Sequence, residues 1–143
     1  MSDCQLCNRL ALLKQKADPA VVHEFENSIL VVGEHQFYQG YCVLILKQHF
    51  REIHELSPEI QTEFHQELMQ ATQAIAMAFQ PWKINHASLG NVVEHVHWHI
   101  FPRYLSDPQH QAHPWIHEAG FNLHIPDPLQ IRDVVSKISE HLP

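Results

Sequence analysis

The chain has 143 residues, of which 45% are hydrophobic and 17% are charged, and its formal net charge is −7 with the histidines neutral. These values are typical of one globular domain that can bury a full core. The negative charge excludes a broad electrostatic grip on nucleic acid, which needs clustered lysine and arginine, but it allows a small nucleotide to be held in a local pocket.

The N-terminal stretch MSDCQLCNRL lacks the apolar core of a secretory signal peptide. No run of the chain approaches the roughly 18 apolar residues of a membrane span. The three cysteines, Cys4, Cys7 and Cys42, cannot all pair with one another, and they are too few for a secreted disulfide scaffold. We therefore expect a cytoplasmic protein with reduced cysteines and no membrane partner.

The first part of the chain predicts one helix and two strands. Leucines recur on one side of a helix over residues 3–16, and Pro19 prevents its continuation. The segments FENSILVVG (25–33) and YCVLILK (41–47) are apolar and β-branched, so we interpret them as adjacent strands.

The second part predicts a long helix, two strands and a last helix. In LSPEIQTEFHQELMQATQAIAMAFQ (56–80), Ser57 is a suitable N-cap and apolar residues recur every three or four positions. A strand and a glycine-containing turn follow over residues 82–91, and a capped helix covers about 127–141. Short connections between strands favour an antiparallel sheet, so the predicted class is α+β, in a single domain over residues 1–143.

The segment EHVHWHIFPR (94–103) places a histidine at every second position. Period two is the period of a β-strand, so His95, His97 and His99 are predicted to share one face of a strand. Trp98 would then be buried on the opposite face. Because an ordinary half-buried strand favours threonine or tyrosine over histidine, the row indicates a site.

The residues alone allow three interpretations of this row. Neutral imidazoles can ligate a metal such as zinc and leave one position open for water, which would make the protein a metal-dependent hydrolase. Alternatively, one imidazole is a nucleophile, and its neighbours orient it and bind the charge of the substrate. In the third interpretation the strand lines a wet surface and the histidines have no chemical role.

The segment HVHWHIF matches the His-x-His-x-His-x-x signature of the histidine triad (HIT) family, in which x is apolar. GYCVLILKQHFREIHEL resembles the family's strand, basic residue and histidine before the long helix, and NHASLGNVVEH resembles the stretch that precedes the triad. The likeness covers about residues 4–104, followed by a C-terminal extension. It implies a five-stranded antiparallel sheet with helices packed on it, and a homodimer.

The resemblance also implies a chemistry. HIT proteins are nucleotide hydrolases or nucleotidyl transferases that act at the α-phosphate through a nucleotidyl-histidine intermediate, with no cofactor required for catalysis. Carried over, His97 is the nucleophile, His99 hydrogen-bonds the phosphate oxygens, and His95 supports both. The implied substrate-binding positions are Asn85, Gly90, Asn91 and His99.

One position departs from the family's phosphoramidase branch, which has glutamine followed by serine or threonine before the triad. This chain has Asn91 followed by Val92, and valine has no hydroxyl to offer a departing amine. The departure favours dinucleoside polyphosphates over phosphoramidates, and it leaves open a nucleotide-binding regulator with little turnover. His113, Pro114 and Trp115 lie beyond the motif as candidates to shape the pocket.

Cys4-x-x-Cys7 is a weak signal by itself. Some HIT relatives, among them the galactose-1-phosphate uridylyltransferase branch, bind zinc with such a pair, a histidine after the second strand and the first triad histidine. The resemblance therefore implies a structural zinc at Cys4, Cys7, His49 and His95, which would complete a tetrahedral site. The alternative for His49 is a loop residue that hydrogen-bonds the active site.

Overall fold

The computed structural model describes residues 2–143, and its five strands form one antiparallel sheet in the order β1–β2–β3–β5–β4. The elements are α1 (Gln5–Gln15), β1 (Val21–Glu24), β2 (Ser28–Val32), β3 (Cys42–Leu46), α2 (Pro58–Phe79), β4 (Lys83–Ala87), β5 (His97–Arg103) and α3 (Pro128–Ser139). Two 3-10 segments cover Ile53–Glu55 and Pro114–His124. The predicted α+β class with a five-stranded antiparallel sheet is confirmed.

The two later helices begin at side-chain caps. The hydroxyl of Ser57 accepts a hydrogen bond from the amide of Ile60 at the start of α2. At the start of α3, Asp127 and Gln130 each accept a hydrogen bond from the other's amide, at 2.8 and 2.9 Å. Such caps satisfy amides that have no partner inside the helix, so both starts agree with the sequence prediction.

The sheet is covered on both faces. The helices α2 and α3 pack on one face, over a core that includes Leu44 and Ile100. Trp98 lies half-buried against this core, on the predicted face but less buried than expected. On the other face, Val43 and Ile45 of β3 pack beneath α1. Successive residues of β3 and β5 therefore alternate between the two faces, as strand geometry requires.

The predicted strand at residues 25–33 is too long at its start. A turn closes over these residues, because the amide of Phe25 donates to the carbonyl of Ser28 at 2.8 Å, and β2 begins only at Ser28. The strand before it, β1, was not predicted from the residues. It has four residues and a register shift between Val21 and His23, which interrupts the alternation on which a prediction depends.

The prediction that all three histidines lie within one strand is wrong for His95. Strand β5 begins at His97, and the last ladder pair with β3 joins His97 to Ile45. Just before it, the amide of Val96 donates to the carbonyl of Phe50, in the loop after β3. The carbonyl of Val96 still accepts a hydrogen bond from the amide of Leu46 at 3.2 Å, so backbone bonding to β3 extends to Val96, and His95 occupies a bend before it.

No helix within residues 2–143 is long and apolar enough to cross a membrane.

The buried carboxylate of Glu67 links α2 to the start of β2 by hydrogen bonds, and its removal tests how much these bonds stabilise the fold. Glu67 is buried and accepts hydrogen bonds from the amide of Asn27 at 2.8 Å and the hydroxyl of Ser28 at 2.5 Å. Glu67→Ala leaves these donors without a partner, so we expect a loss of about 3 kcal/mol in the free energy of unfolding, measured with urea. Glu63→Ala is the matched control, since the exposed Glu63 binds only the Asn27 side chain, and it should cost less than about 0.5 kcal/mol. Equal losses in the two variants would contradict this role for Glu67.

Candidate active site

The register of β3 with β5 sets the positions of two triad histidines. His97 lies opposite Ile45 and His99 lies opposite Val43, on the face of the sheet away from α2. The two imidazole rings are 4.9 Å apart between centroids and nearly perpendicular, at 76°. The structure thus brings together the rings that the sequence places two residues apart.

His97 is buried, and a backbone contact selects the tautomer of its neutral ring. Its Nδ1 atom lies 2.5 Å from the carbonyl oxygen of His95. A carbonyl can only accept a hydrogen bond, so Nδ1 of the neutral ring carries the proton and Nε2 keeps a free lone pair. A neutral imidazole with a free Nε2 is a competent nucleophile near neutral pH.

His99 lies in an aromatic setting. Its Nδ1 atom is 2.7 Å from the hydroxyl of Tyr41, the Trp115 ring meets it edge-on at 5.2 Å, and Phe101 lies parallel to it at 5.7 Å. Burial, together with the nearby His97 and His35, lowers the pKa of His99 to about 4. His99 is therefore neutral at neutral pH and can act as a hydrogen-bond donor but not as a cation.

His95 is fully buried and turns its ring toward a different set of residues. Its Nε2 atom lies 2.7 Å from the carbonyl of Leu46, so Nε2 carries the proton and the lone pair is on Nδ1. That Nδ1 atom lies 3.5 Å from the sulfur of Cys4 and 3.4 Å from the sulfur of Cys7. Burial lowers the pKa of His95, which keeps the ring neutral and able to ligate.

Four side chains form a group able to hold a metal ion. One ligand atom each from Cys4, Cys7, His49 and His95 lies within 4.8 Å of the others. Nδ1 of His49 is 3.3 Å from the sulfur of Cys7 and 3.2 Å from Nδ1 of His95. A tetrahedral zinc site with bonds of about 2.3 Å to sulfur and about 2.0–2.1 Å to nitrogen has donor–donor edges of about 3.3 to 3.8 Å. The donor set and its spacing fit that geometry, and the group includes neither His97 nor His99.

The first turn of α1 orients the sulfur atoms of Cys4 and Cys7. Cys4 is the N-cap of the helix, and its sulfur accepts a hydrogen bond from the amide of Cys7 at 3.4 Å. Burial raises the pKa of the Cys7 thiol, and its contacts with Cys4 raise it further. Binding of a metal would therefore have to release a proton from this thiol, as thiolate ligation does.

The other predicted substrate-binding residues are more dispersed. Asn85 lies on β4, opposite Phe101, and its side-chain oxygen accepts a 2.8 Å hydrogen bond from Arg103. Gly90 has a φ of 68°, which turns the chain, and it lines a cavity of about 330 Å³ with His95. Asn91 is exposed and lines a cavity of about 580 Å³ beside the metal-ligand group.

The segment after β5 contributes residues that sequence reasoning used little or missed. The carbonyl of Pro114 accepts a hydrogen bond from the hydroxyl of Tyr38. The next residue, Trp115, contacts the ring of His99. His113 is the N-cap of this 3-10 segment. Phe121 stacks on His35 at 3.8 Å. Burial lowers the pKa of His35 to about 4. Neither His35 nor Tyr41 was predicted as part of the site, although period two from β3 places Tyr41 on the histidine face.

The fold and the three histidines define a histidine triad protein. The model of the HIT domain family matches residues 14–106, which is most of the chain, so this protein belongs to the HIT family. Cys4 and Cys7 lie before the matched region. A curated relative, Protein hit of Bacillus subtilis (strain 168), is 28% identical over 90 residues, which are 59% of this chain and 62% of that protein. The match thus spans less than two thirds of the relative's length.

Solved structures agree with the assignment. A histidine triad protein from Marinobacter aquaeolei VT8 superposes with a TM-score of 0.77 and 27% identity, over 97% of this chain and 96% of that one. A zinc-bound histidine triad family protein from Mycobacterium smegmatis superposes with a TM-score of 0.66 and 19% identity, over 94% of each chain. The second likeness concerns the fold alone.

Proposed function

We propose that this protein is a nucleotide hydrolase, or a nucleotidyl transferase, in which His97 attacks the α-phosphate. The orientation of His97 is the observation that carries the proposal. The carbonyl of His95 accepts its Nδ1–H, so in the neutral form of the ring the lone pair lies on Nε2. Family membership supports the same assignment.

The proposed reaction has two steps. In the first, Nε2 of His97 forms a bond to the α-phosphorus while the bond from phosphorus to the leaving oxygen breaks, and the electron pair stays on the departing nucleotide. In the second, water attacks phosphorus and loses a proton to solvent, the N–P bond breaks with its electron pair returning to Nε2, and a nucleoside monophosphate leaves. An alcohol in place of water gives the transferase. Neither step requires a metal or another cofactor.

We propose a dinucleoside polyphosphate as the substrate class. A departing nucleotide is already a good leaving group, so it needs little protonation. The loop before the triad offers an apolar side chain where a phosphoramidase would offer a hydroxyl, and this Val92 is 94% exposed. The lack of a hydroxyl at Val92 also favours one alternative function, that of a nucleotide-binding regulator with little turnover.

We further propose one structural zinc per chain at Cys4, Cys7, His49 and His95. The donor spacing supports it, and so does the zinc-bound histidine triad family protein from Mycobacterium smegmatis. A metal at these four ligands would join α1 to the bend that precedes β5. Its role would be in stability, since the group has no open position and does not include His97.

A homodimer is the remaining part of the proposal, within a reducing compartment such as the cytoplasm. Family membership motivates it. Light scattering at micromolar concentration should give twice the mass of one chain, and the mass of one chain would contradict the dimer.

The zinc proposal predicts a metal content of one zinc per chain in protein purified without chelator. Cys7→Ser should lose the metal and lower the free energy of unfolding, because metal binding contributes to folding. His54→Gln, which changes an exposed histidine outside the group, should keep the metal. Elemental analysis that finds no zinc in the wild-type protein would refute the zinc site and leave the nucleophile unaffected.

The nucleophile proposal predicts that His97→Asn lowers kcat for a dinucleoside polyphosphate on the order of 10⁶-fold, as removal of a covalent nucleophile does. Nucleoside monophosphate binding, measured by calorimetry, should persist because His99 remains. His65→Asn, on an exposed position of α2, is the control and should keep full activity.

Three other outcomes would each contradict the nucleophile proposal. Turnover by His97→Asn within tenfold of wild type would exclude His97 as the nucleophile. A metal content that falls together with activity in His97→Asn would favour a metal-dependent hydrolase, because His97 lies outside the proposed zinc group. A wild-type protein that binds nucleoside monophosphates but hydrolyses no nucleotide ester would favour the regulator.

A further inference from the structure

The hydroxyl of Tyr41 has a single hydrogen-bond partner among residues 2–143, the Nδ1 atom of His99 at 2.7 Å. Tyr41 is only 5% exposed. Burial raises the pKa of its phenol far above the usual range, and the nearby Glu34 raises it further, so the phenol keeps its proton. A buried hydroxyl proton needs an acceptor, and the acceptor on hand is Nδ1 of His99.

The backbone and the neighbouring rings hold the phenol in one place. The amide of Gly33 donates to the carbonyl of Tyr41 at 2.9 Å, and a Cβ atom at Gly33 would lie 2.2 Å from the Tyr41 ring. A side chain at position 33 would therefore displace this ring. The ring also stacks on Phe101 at 4.2 Å and 11°. The hydroxyl is thus presented to His99 from a rigid position.

We propose that Tyr41 is a positioning residue that holds His99 in the Nε2–H tautomer. The phenol donates to Nδ1, so the single proton of the neutral imidazole must be on Nε2. Nε2–H is then available as a hydrogen-bond donor to a phosphate oxygen of the substrate. This role in catalysis rests on the proposed function, but the tautomer itself does not.

The arrangement gives the two adjacent histidines opposite tautomers. His97 has its proton on Nδ1, held by the carbonyl of His95, and its lone pair on Nε2. His99 has its lone pair on Nδ1, held by Tyr41, and its proton on Nε2. One ring then offers a nucleophile and the other offers a donor to phosphate. In the opposite tautomer, His99 would turn a lone pair toward phosphate oxygens and repel them.

The tautomer can be measured without any substrate. In protein labelled with ¹⁵N-histidine at neutral pH, long-range ¹H–¹⁵N correlation distinguishes a protonated from an unprotonated ring nitrogen, and His99→Asn assigns the His99 signals. We expect wild-type His99 to be protonated on Nε2 and Tyr41→Phe to contain a mixture of both tautomers. Tyr104→Phe is the matched control, because it removes a phenol hydrogen bond to the carbonyl of Gln39 and should leave the His99 signals unchanged.

The kinetic consequence is a lower kcat with little change in KM. Tyr41→Phe keeps the ring and removes only the hydroxyl, so we expect kcat for a dinucleoside polyphosphate to fall about 10- to 100-fold, the range for loss of a residue that orients a functional histidine. Tyr104→Phe should be within twofold of wild type.

Two results would overturn the inference: His99 protonated on Nδ1 in the wild-type protein, or the same tautomer in wild type and Tyr41→Phe. The first result is informative even if Tyr41→Phe fails to fold. Absence of turnover in the wild-type protein would count against the proposed function, and the tautomer measurement would still decide the role of Tyr41.

Discussion

The hydrogen bond between the His95 ring and the carbonyl of Leu46 is the contact on which both candidate sites depend. It is buried and 2.7 Å long, and it joins the end of β3 to the bend before β5. Because Nε2 of His95 makes this hydrogen bond, Nδ1 faces the sulfurs of Cys4 and Cys7. The carbonyl of the same residue holds the ring of His97. The side chain of His95 therefore belongs to the metal-ligand group, and its backbone carbonyl orients the proposed nucleophile. This links the stability of the metal-ligand group to the geometry of His97.

A second feature of the site is the set of groups around its histidines. The triad histidines lie among aromatic rings and backbone carbonyls, in a chain with a formal net charge of −7, and Glu34 and Arg9 shift the pKa of the neighbouring Tyr41 in opposite directions. Arg103, the buried cation nearest to the triad in the sequence, forms an ion pair with Asp107 and donates a hydrogen bond to Asn85. Stabilisation of a phosphate in such a site has to come from oriented donors, and fixed dipoles in a dry environment are effective because they need no reorganisation. The direction of each imidazole proton then matters more than its charge.

Much of the fold could be predicted because local signals agreed with the final packing. Ser57 and Asp127 begin helices in the structure as their residue types indicate, and the alternation around His97 and Trp98 separates the two faces of β5. The metal-ligand group could be anticipated only from the family resemblance, since its members come from three distant parts of the chain. Strand β1 was missed because four residues with a register shift give too little periodicity.

The remaining features of the site depend on pairings that no local pattern encodes. Tyr41 and His99 are 58 residues apart, and they meet because β3 and β5 are adjacent in one particular register. The contact between Asn85 and Arg103 likewise depends on the pairing of β4 with β5, so a residue expected to bind substrate is engaged by a neighbouring strand. The bend at His95 comes just before a hydrogen bond from the amide of Val96 to the carbonyl of Phe50, and the alternation of the histidine segment does not reveal this contact.

The most direct test of His97 as nucleophile is to trap the covalent intermediate. Wild-type protein mixed with a dinucleoside polyphosphate carrying a labelled α-phosphate, and quenched without acid because a phosphoramidate is acid-labile, would be digested and examined by mass spectrometry. A nucleotidyl group on His97 is the predicted result. Label on His99 would reverse the roles of the two histidines, and steady turnover with no label on the protein would exclude the covalent mechanism.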